Sequence, residues 1–307
     1  MTSASALHCA VELNDTQSAT DMSGEVAALS AALLWTLASG LWSSLSCHAT
    51  AVQLNGLKNG LATLLFLPVL LGVPWREQPM AVAALFVSGA IGIALGDSLY
   101  LAALRRIGTR RTLTLEATGP VLASLGSPLI QGDPLTVTDF AGALLVAAAV
   151  LMIARSGSPD QNQTAGVSNR GGFLLAFGAV LSGLVGAFVA RSVLIDGAFT
   201  PLDSAAIRLL GGTVALLPIW CRHLPIQGLQ AIGLKTRIIT ATVLGTNLGI
   251  LLQQQVFKTL PVGPGVTLMS TAPLMAVAIA RWRGQPLQPM DWTAAVLGVS
   301  GVALTSL

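Results

Sequence analysis

Charge is scarce in this chain. Asp, Glu, Lys and Arg together make up 9% of its 307 residues, against about 25% in a soluble domain. So few ionic groups cannot coat a water-facing surface, which excludes a soluble globular fold. Histidine and cysteine are scarcer still, three of each. His8, His48 and His223 stand apart, and no HExxH, GxSxG, P-loop or paired-cysteine spacing occurs, so no catalytic centre, metal site or cofactor is expected. Cys9, Cys47 and Cys221 are distant and odd in number, which excludes a disulfide framework and a zinc site. Aromatics amount to 5% and do not interleave with the bases. The net charge of +3 and the pI near 9.1 therefore do not make a nucleic-acid surface. Residues 1–23 hold no Lys or Arg and read as a polar, disordered tail. The apolar run that follows is too long, and its flank too acidic, for a cleaved signal peptide.

What the chain does have is apolar length. Hydrophobic residues make up 53%, mean hydropathy is +0.74, and lipid is the matching solvent. A spanning helix needs about 20 mainly apolar residues. Such runs recur near 24–46, 55–73, 80–104, 111–130, 139–154, 171–191, 203–221, 236–257, 263–281 and 290–306. The longest gap, RSGSPDQNQTAGVSNRG, is polar and central, and reads as a linker over 156–170.

The halves repeat one another. Gly92-Ile-Ala-Leu-Gly96 matches Gly245-Thr-Asn-Leu-Gly249, and Thr118-Gly-Pro120 matches Thr271-Ala-Pro273, both at an offset of 153. Gly132-Asp-Pro-Leu135 matches Gly284-Gln-Pro-Leu287 one residue out of step, and Lys58, Thr63 and Pro68 match Arg208, Thr213 and Pro218 at an offset of 150. Five crossings per copy is an odd number, so the second copy enters from the opposite face. The expected fold is an all-α membrane protein of about ten helices in two inverted five-helix repeats, 24–155 and 171–307. In carriers built this way the substrate site lies near midplane between the repeats.

The segments GDSLYLAALRRIGTRRTLTLEATGPVLASLGSPLIQGDPL and TLPVGPGVTLMSTAPLMAVAIARWRGQPL resemble the third-to-fifth-helix signature of the EamA repeat of the drug/metabolite transporter superfamily. The resemblance spans both halves. It implies a multi-pass carrier of small metabolites in the cell membrane, often an exporter, acting as monomer or homodimer. The chain departs from the pattern where relatives place a Glu before the fourth-helix proline: here Gly119 and Ala272 stand. The Glu after the following Gly is Asp133 in the first half and Gln285 in the second.

Four charged residues fall clearly inside the apolar runs: Lys58, Asp97, Glu116 and Arg208. Charge inside a bilayer is costly and usually faces a cavity or a partner. With the amino-terminal face called A and the other B, Lys58, Asp97 and Glu116 all lie within about 5–11 Å of face B at 1.5 Å per residue. They form a candidate ion pair with one carboxyl to spare, and Glu116 is the candidate proton carrier. The plainer readings are a snorkelling Lys58 and an ion pair that only fixes packing. In the second half the equivalents of Asp97 and Glu116 are Ile250 and Met269, which leaves Arg208 without a symmetric acid. It becomes an anion contact beside Gln253 and Asn247, or else pairs with Asp203 or lipid phosphate. Trp35, Tyr100, Arg208, Asn247 and Gln253 are the candidate substrate contacts, and Tyr100 and Gln253 occupy equivalent positions. The plainer roles are packing for Trp35 and Tyr100 and interhelical hydrogen bonding for Gln253. Pro120 and Pro273 are expected to kink helices four and nine, and Pro68 and Pro218 to act as hinges.

Together these features predict a secondary transporter, with an amino acid as the type of cargo, export as the direction and protons as the coupling ion. The alternative is a membrane-embedded enzyme or lipid-modifying scaffold. Outside Lys58 and Arg208, 11 bases fall at face B and 3 at face A. The positive-inside rule then makes B cytoplasmic, whereas the family resemblance puts both termini in the cytoplasm. The orientation stays open.

Overall fold

The computed structural model describes residues 23–43, 50–156, 169–223, 232–284 and 288–307, and among them no strand occurs. The expected tail and most of the expected linker lie outside these residues. The first half comprises α1 (Gly24–Ser43), α2 (Ala51–Leu65), α3 (Leu67–Gly72), α4 (Pro79–Gly89), a π-helical turn (Ala90–Leu95), α5 (Gly96–Glu116, broken at Gly108, where φ is 78° and the third helix gives way to the fourth), α6 (Gly119–Ile130) and α7 (Val137–Ser156). The second comprises α8 (Asn169–Ile195), α9 (Pro201–Trp220), α10 (Ile232–Ala241), a second π-helical turn (Thr242–Leu248), α11 (Gly249–Thr259), α12 (Val262–Met269), α13 (Ala272–Trp282) and α14 (Pro289–Thr305). Among the described residues, six helices are long and apolar enough to cross a membrane. The stretches over 51–72, 109–130, 232–259 and 289–305 are shorter, broken or more polar.

The repeat in the sequence becomes a repeat of local structure. Thr50 and Thr200 each open their helix with a capping box, with Gln53 and Asp203 as the reciprocal partners. Each cap satisfies amide donors that would otherwise be orphaned. Lys58 and Arg208 both stand eight residues beyond such a cap. The two π-helical turns also correspond, one in each third helix of a repeat. Each inserts an extra residue per turn, a feature that recurs at functional sites.

Helices four and nine are discontinuous at matching places. The chain leaves regular helix at 117–118 and at 270–271, and Pro120 and Pro273 begin the continuation. A proline has no N–H and disfavours helix just before it, so the break lies on its amino-terminal side. Thr118 Oγ1 donates to the Leu115 carbonyl at 2.6 Å, and Thr271 Oγ1 donates to the Leu268 carbonyl at 2.7 Å. The same side chain thus re-satisfies the backbone in both repeats. The four expected prolines do not behave alike. Pro68 follows a break at Phe66, but Pro218 lies within α9, which runs on to Trp220.

The halves interlock through glycine. The third helix of each repeat lies against the first helix of the other, α5 on α8 and α11 on α1. A Cβ on Gly186 would come within 2.9 Å of Gly92 Cα, and one on Gly245 within 2.5 Å of the Ala38 methyl. Only hydrogen fits at these approaches, as in small-residue packing within membranes.

Among the described residues, the bundle is packed shut toward face A and not toward face B. Toward face A, α6 packs on α12, and the Gly263 N–H donates to Ser127 Oγ at 2.9 Å. Arg191, at the end of α8, donates to the carbonyls of Phe257 (3.0 Å) and Leu260 and forms a 3.4 Å ion pair with Asp133. One guanidinium therefore ties three chain segments from both repeats. Toward face B the equivalent helix halves part, and α13 packs on α1, α7 and α14. The expected outcome for Arg191→Gln is a looser face A. With the three native cysteines replaced by Ser, labelling of Ser124→Cys, a site only 1% exposed, should rise about tenfold, the effect of roughly 1.4 kcal/mol. Unchanged labelling would remove Arg191 from what holds that end shut.

Candidate functional site

Because face B is parted and face A sealed, the interior holds a cavity of about 1510 Å³. Trp42, Leu113, Arg237 and Arg283 line its mouth, and Gly92, Arg208, Gln253 and Phe257 lie toward its closed end. Both π-helical turns, both helix breaks and both interlocking first helices contribute wall. A binding site of this kind is concave and mostly apolar, with a few polar groups that fix orientation.

Halfway down lies the charged cluster. Lys58 Nζ donates to Asp97 Oδ2 at 2.7 Å, with side chains 24% and 37% exposed. The pair faces the cavity rather than lipid, and so it balances itself within water's reach. Glu116 and Tyr100 also line the cavity. The Glu116 carboxyl ends α5 at the break in helix four and has no hydrogen-bond partner among the described residues. Among those residues, no cluster of three or more His, Cys, Asp or Glu side chains could hold a metal.

At the closed end lies Arg208, 3% exposed. Nη1 donates to Gln253 Oε1 at 3.4 Å, while Nε is buried with no partner. The two ion pairs among the described residues are Lys58–Asp97 and Arg191–Asp133, so Arg208 has no counterion there. Asp203, a partner considered on sequence grounds, is spent on the cap: its carboxylate accepts from the Thr200 N–H and hydroxyl.

The remaining expected contacts divide. Trp35 lines the cavity, with its indole N–H held by the Gly245 carbonyl at 3.0 Å. Tyr100 and Gln253, equivalent by repeat, both line it. Asn247 does not: its amide donates to the Ala62 carbonyl at 3.0 Å, joining helix eight to helix two. The substrate contact expected there is not part of the cavity wall, although the Asn247 Oδ1 atom is buried with no partner among the described residues. Gln254 Oε1 accepts from the Ser204 hydroxyl at 2.9 Å, while its Nε2 is buried with no partner among the described residues. Two features escaped the sequence reading. Helix α8 lines the cavity through Ala179, Gly183 and Ala187, small residues that carry no polar signal. Arg191 and Asp133 look like end-of-helix charges, and their joining across 58 residues belongs to the tertiary fold.

The Lys58–Asp97 pair has a measurable signature. Lys58→Gln alone strands a carboxylate and should lower Tm in detergent. Adding Asp97→Asn should recover most of the loss, because the double variant leaves no unbalanced charge. The cost should fall below the 3–5 kcal/mol of a fully buried pair, since cavity water reaches these groups. Additive losses in the double variant would show that the two groups act separately.

The fold is shared with a solved structure described as "Crystal structure of protein", at a TM-score of 0.75 and 18% identity, covering 92% of this chain and 95% of that one. No curated protein matches the sequence significantly. The model of the EamA-like transporter family matches residues 22–155 and, a second time, residues 169–307. With both repeats matched, the chain belongs to the EamA-like transporter family.

Proposed function

We propose that this multi-pass membrane protein is a secondary carrier in the cell membrane that exports a small metabolite, with an amino acid as the type of cargo, in exchange for protons. Members of the family are transporters. The observation that carries the reading is a cavity between inverted repeats, sealed at face A and, among the described residues, open toward face B, with a carboxyl that has no hydrogen-bond partner among those residues at a helix break. Alternating access requires the seal to move from face A to face B, and the paired discontinuities of helices four and nine are where the bundle can bend.

Glu116 is the proton carrier in this reading. Coupling requires a group whose hold on a proton differs between the two facing states, and a carboxyl alternately wetted and buried meets that need. Lys58 balances Asp97, which leaves Glu116 as the free acid. In proteoliposomes carrying a pool of radiolabelled metabolites, wild-type protein should move protons as substrate moves. Glu116→Gln should abolish that proton movement, while substrate counterflow persists because exchange needs no net protonation. Acidification at the wild-type rate would make Glu116 structural. Absence of any flux, together with turnover of an added lipid, would replace the carrier with an enzyme.

For orientation the proposal follows the bases, 11 at face B against 3 at face A, which makes the open face cytoplasmic. That is the side from which an exporter loads. A phosphatase fused after Leu307 should then be active outside the cytoplasm. Activity only of a cytoplasmic reporter at that end would reverse the assignment.

A further inference from the structure

We infer that the closed end of the cavity is a carboxylate site built on Arg208, and that the cargo is a small zwitterionic amino acid whose carboxylate docks there. The inference rests on the carrier reading only in taking this cavity as the cargo's place. Its support is local. Arg208 is 3% exposed, yet its described contacts provide no counterion, only a 3.4 Å bond to Gln253. Of its five N–H donors, Nε and those of Nη2 have no partner among the described residues. A buried charge left this way lowers stability, and a fold that keeps one needs something to complete it.

The surroundings fit one class of anion. The guanidinium is a planar fork that matches a carboxylate with two parallel hydrogen bonds. Gly92 makes room beside it: a Cβ there would lie 3.3 Å from Nη2, so a side chain would begin to crowd the approach. Gln253 holds Nη1 from the side and keeps its own amide donor for a second carboxylate oxygen. The cavity wall includes apolar Phe257, Gly183 and Ala187, which favours one carboxylate over a hydrated, multiply charged anion.

The opposite charge sits nearer the mouth. Along helix three, Asp97 is five residues beyond Gly92, about 7.5 Å at 1.5 Å per residue. Glu116 shares the Asp97 level and has no partner, whereas Asp97 is neutralised by Lys58. An amino acid with its carboxylate on Arg208 would direct its ammonium toward this acidic level, where loss of the Glu116 charge would weaken binding without stopping exchange. Neither a simple amine nor a simple carboxylate engages both ends.

The test uses the full-length protein in detergent and reads thermal stability. The probes are an equimolar pool of the twenty L-amino acids, the pool of their methyl esters, and sodium sulfate. The amino acids should raise Tm by a few degrees through selective binding to the folded state, while the esters and sulfate should not. Arg208→Gln should abolish the rise and leave the ligand-free Tm unchanged or higher, because the uncompensated charge has gone. Arg208→Lys keeps the charge, loses the fork and should lose most of the rise. The proposal is overturned if wild type shows no rise, or if esters or sulfate match the amino acids. It is also overturned if Arg208→Gln fails to fold, since the guanidinium would then be completing the structure. Amino-acid binding without flux would sink the carrier reading and leave this site standing. Flux of methyl esters untouched by Arg208→Gln would do the reverse.

Discussion

Hydrocarbon supplies no hydrogen bonds, and most of this structure follows from that. A backbone group left bare in lipid costs several kcal/mol, so each departure from regular helix must be repaired by the protein or must border water. The repairs are specific. Thr118 and Thr271 bond back to the carbonyl three residues earlier at the two mid-helix breaks. Trp35 takes the Gly245 carbonyl within the second π-helical turn, and Asn247 reaches across to Ala62. The irregular segments gather around the cavity because only there does water or a neighbouring helix meet their need. Where the helices are broken is also where the bundle can bend.

On this near-symmetric frame the charges are asymmetric. Equivalent positions in helices two and seven hold Lys58 and Arg208, but the first repeat offers Asp97 and Glu116 where the second has Ile250 and Met269. Lys58 is therefore answered and Arg208 is not. The symmetry makes two equivalent half-sites possible; the substitutions make one acidic level and one basic end. A cavity with opposite charges at different depths orients what enters it, which a symmetric site would not do.

The seal at face A adds a second asymmetry. Arg191 joins Asp133, Phe257 and Leu260, drawing on both repeats. In the first repeat the corresponding end of helix one carries serines rather than a base. Asp133, one of the acids that set this chain beside its relatives, is spent on the seal rather than on the cavity.

Much of this was legible along the chain, for one reason. Lipid exposure demands long apolar runs, and duplication preserves spacing, so the all-helical fold, the two halves, the breaks at Pro120 and Pro273 and the level of Lys58, Asp97 and Glu116 could be read from residue order alone. Pro218, inside an unbroken helix, shows the limit of that reading, since a neighbouring proline rule cannot tell a kink from a tolerated turn. Other features needed the third dimension. Asn247 and Gln253 are both polar residues on helix eight, and only packing decides that one bonds a carbonyl while the other faces the cavity. Asp203 looked like a counterion for Arg208 until the helix cap claimed it. Ala179 and Gly183 carry no chemical signal, and Arg191 meets Asp133 across 58 positions. Composition and period determine what a segment is; which groups remain unpaired is decided by what lies across the bundle, and one helix's sequence holds no record of its neighbour.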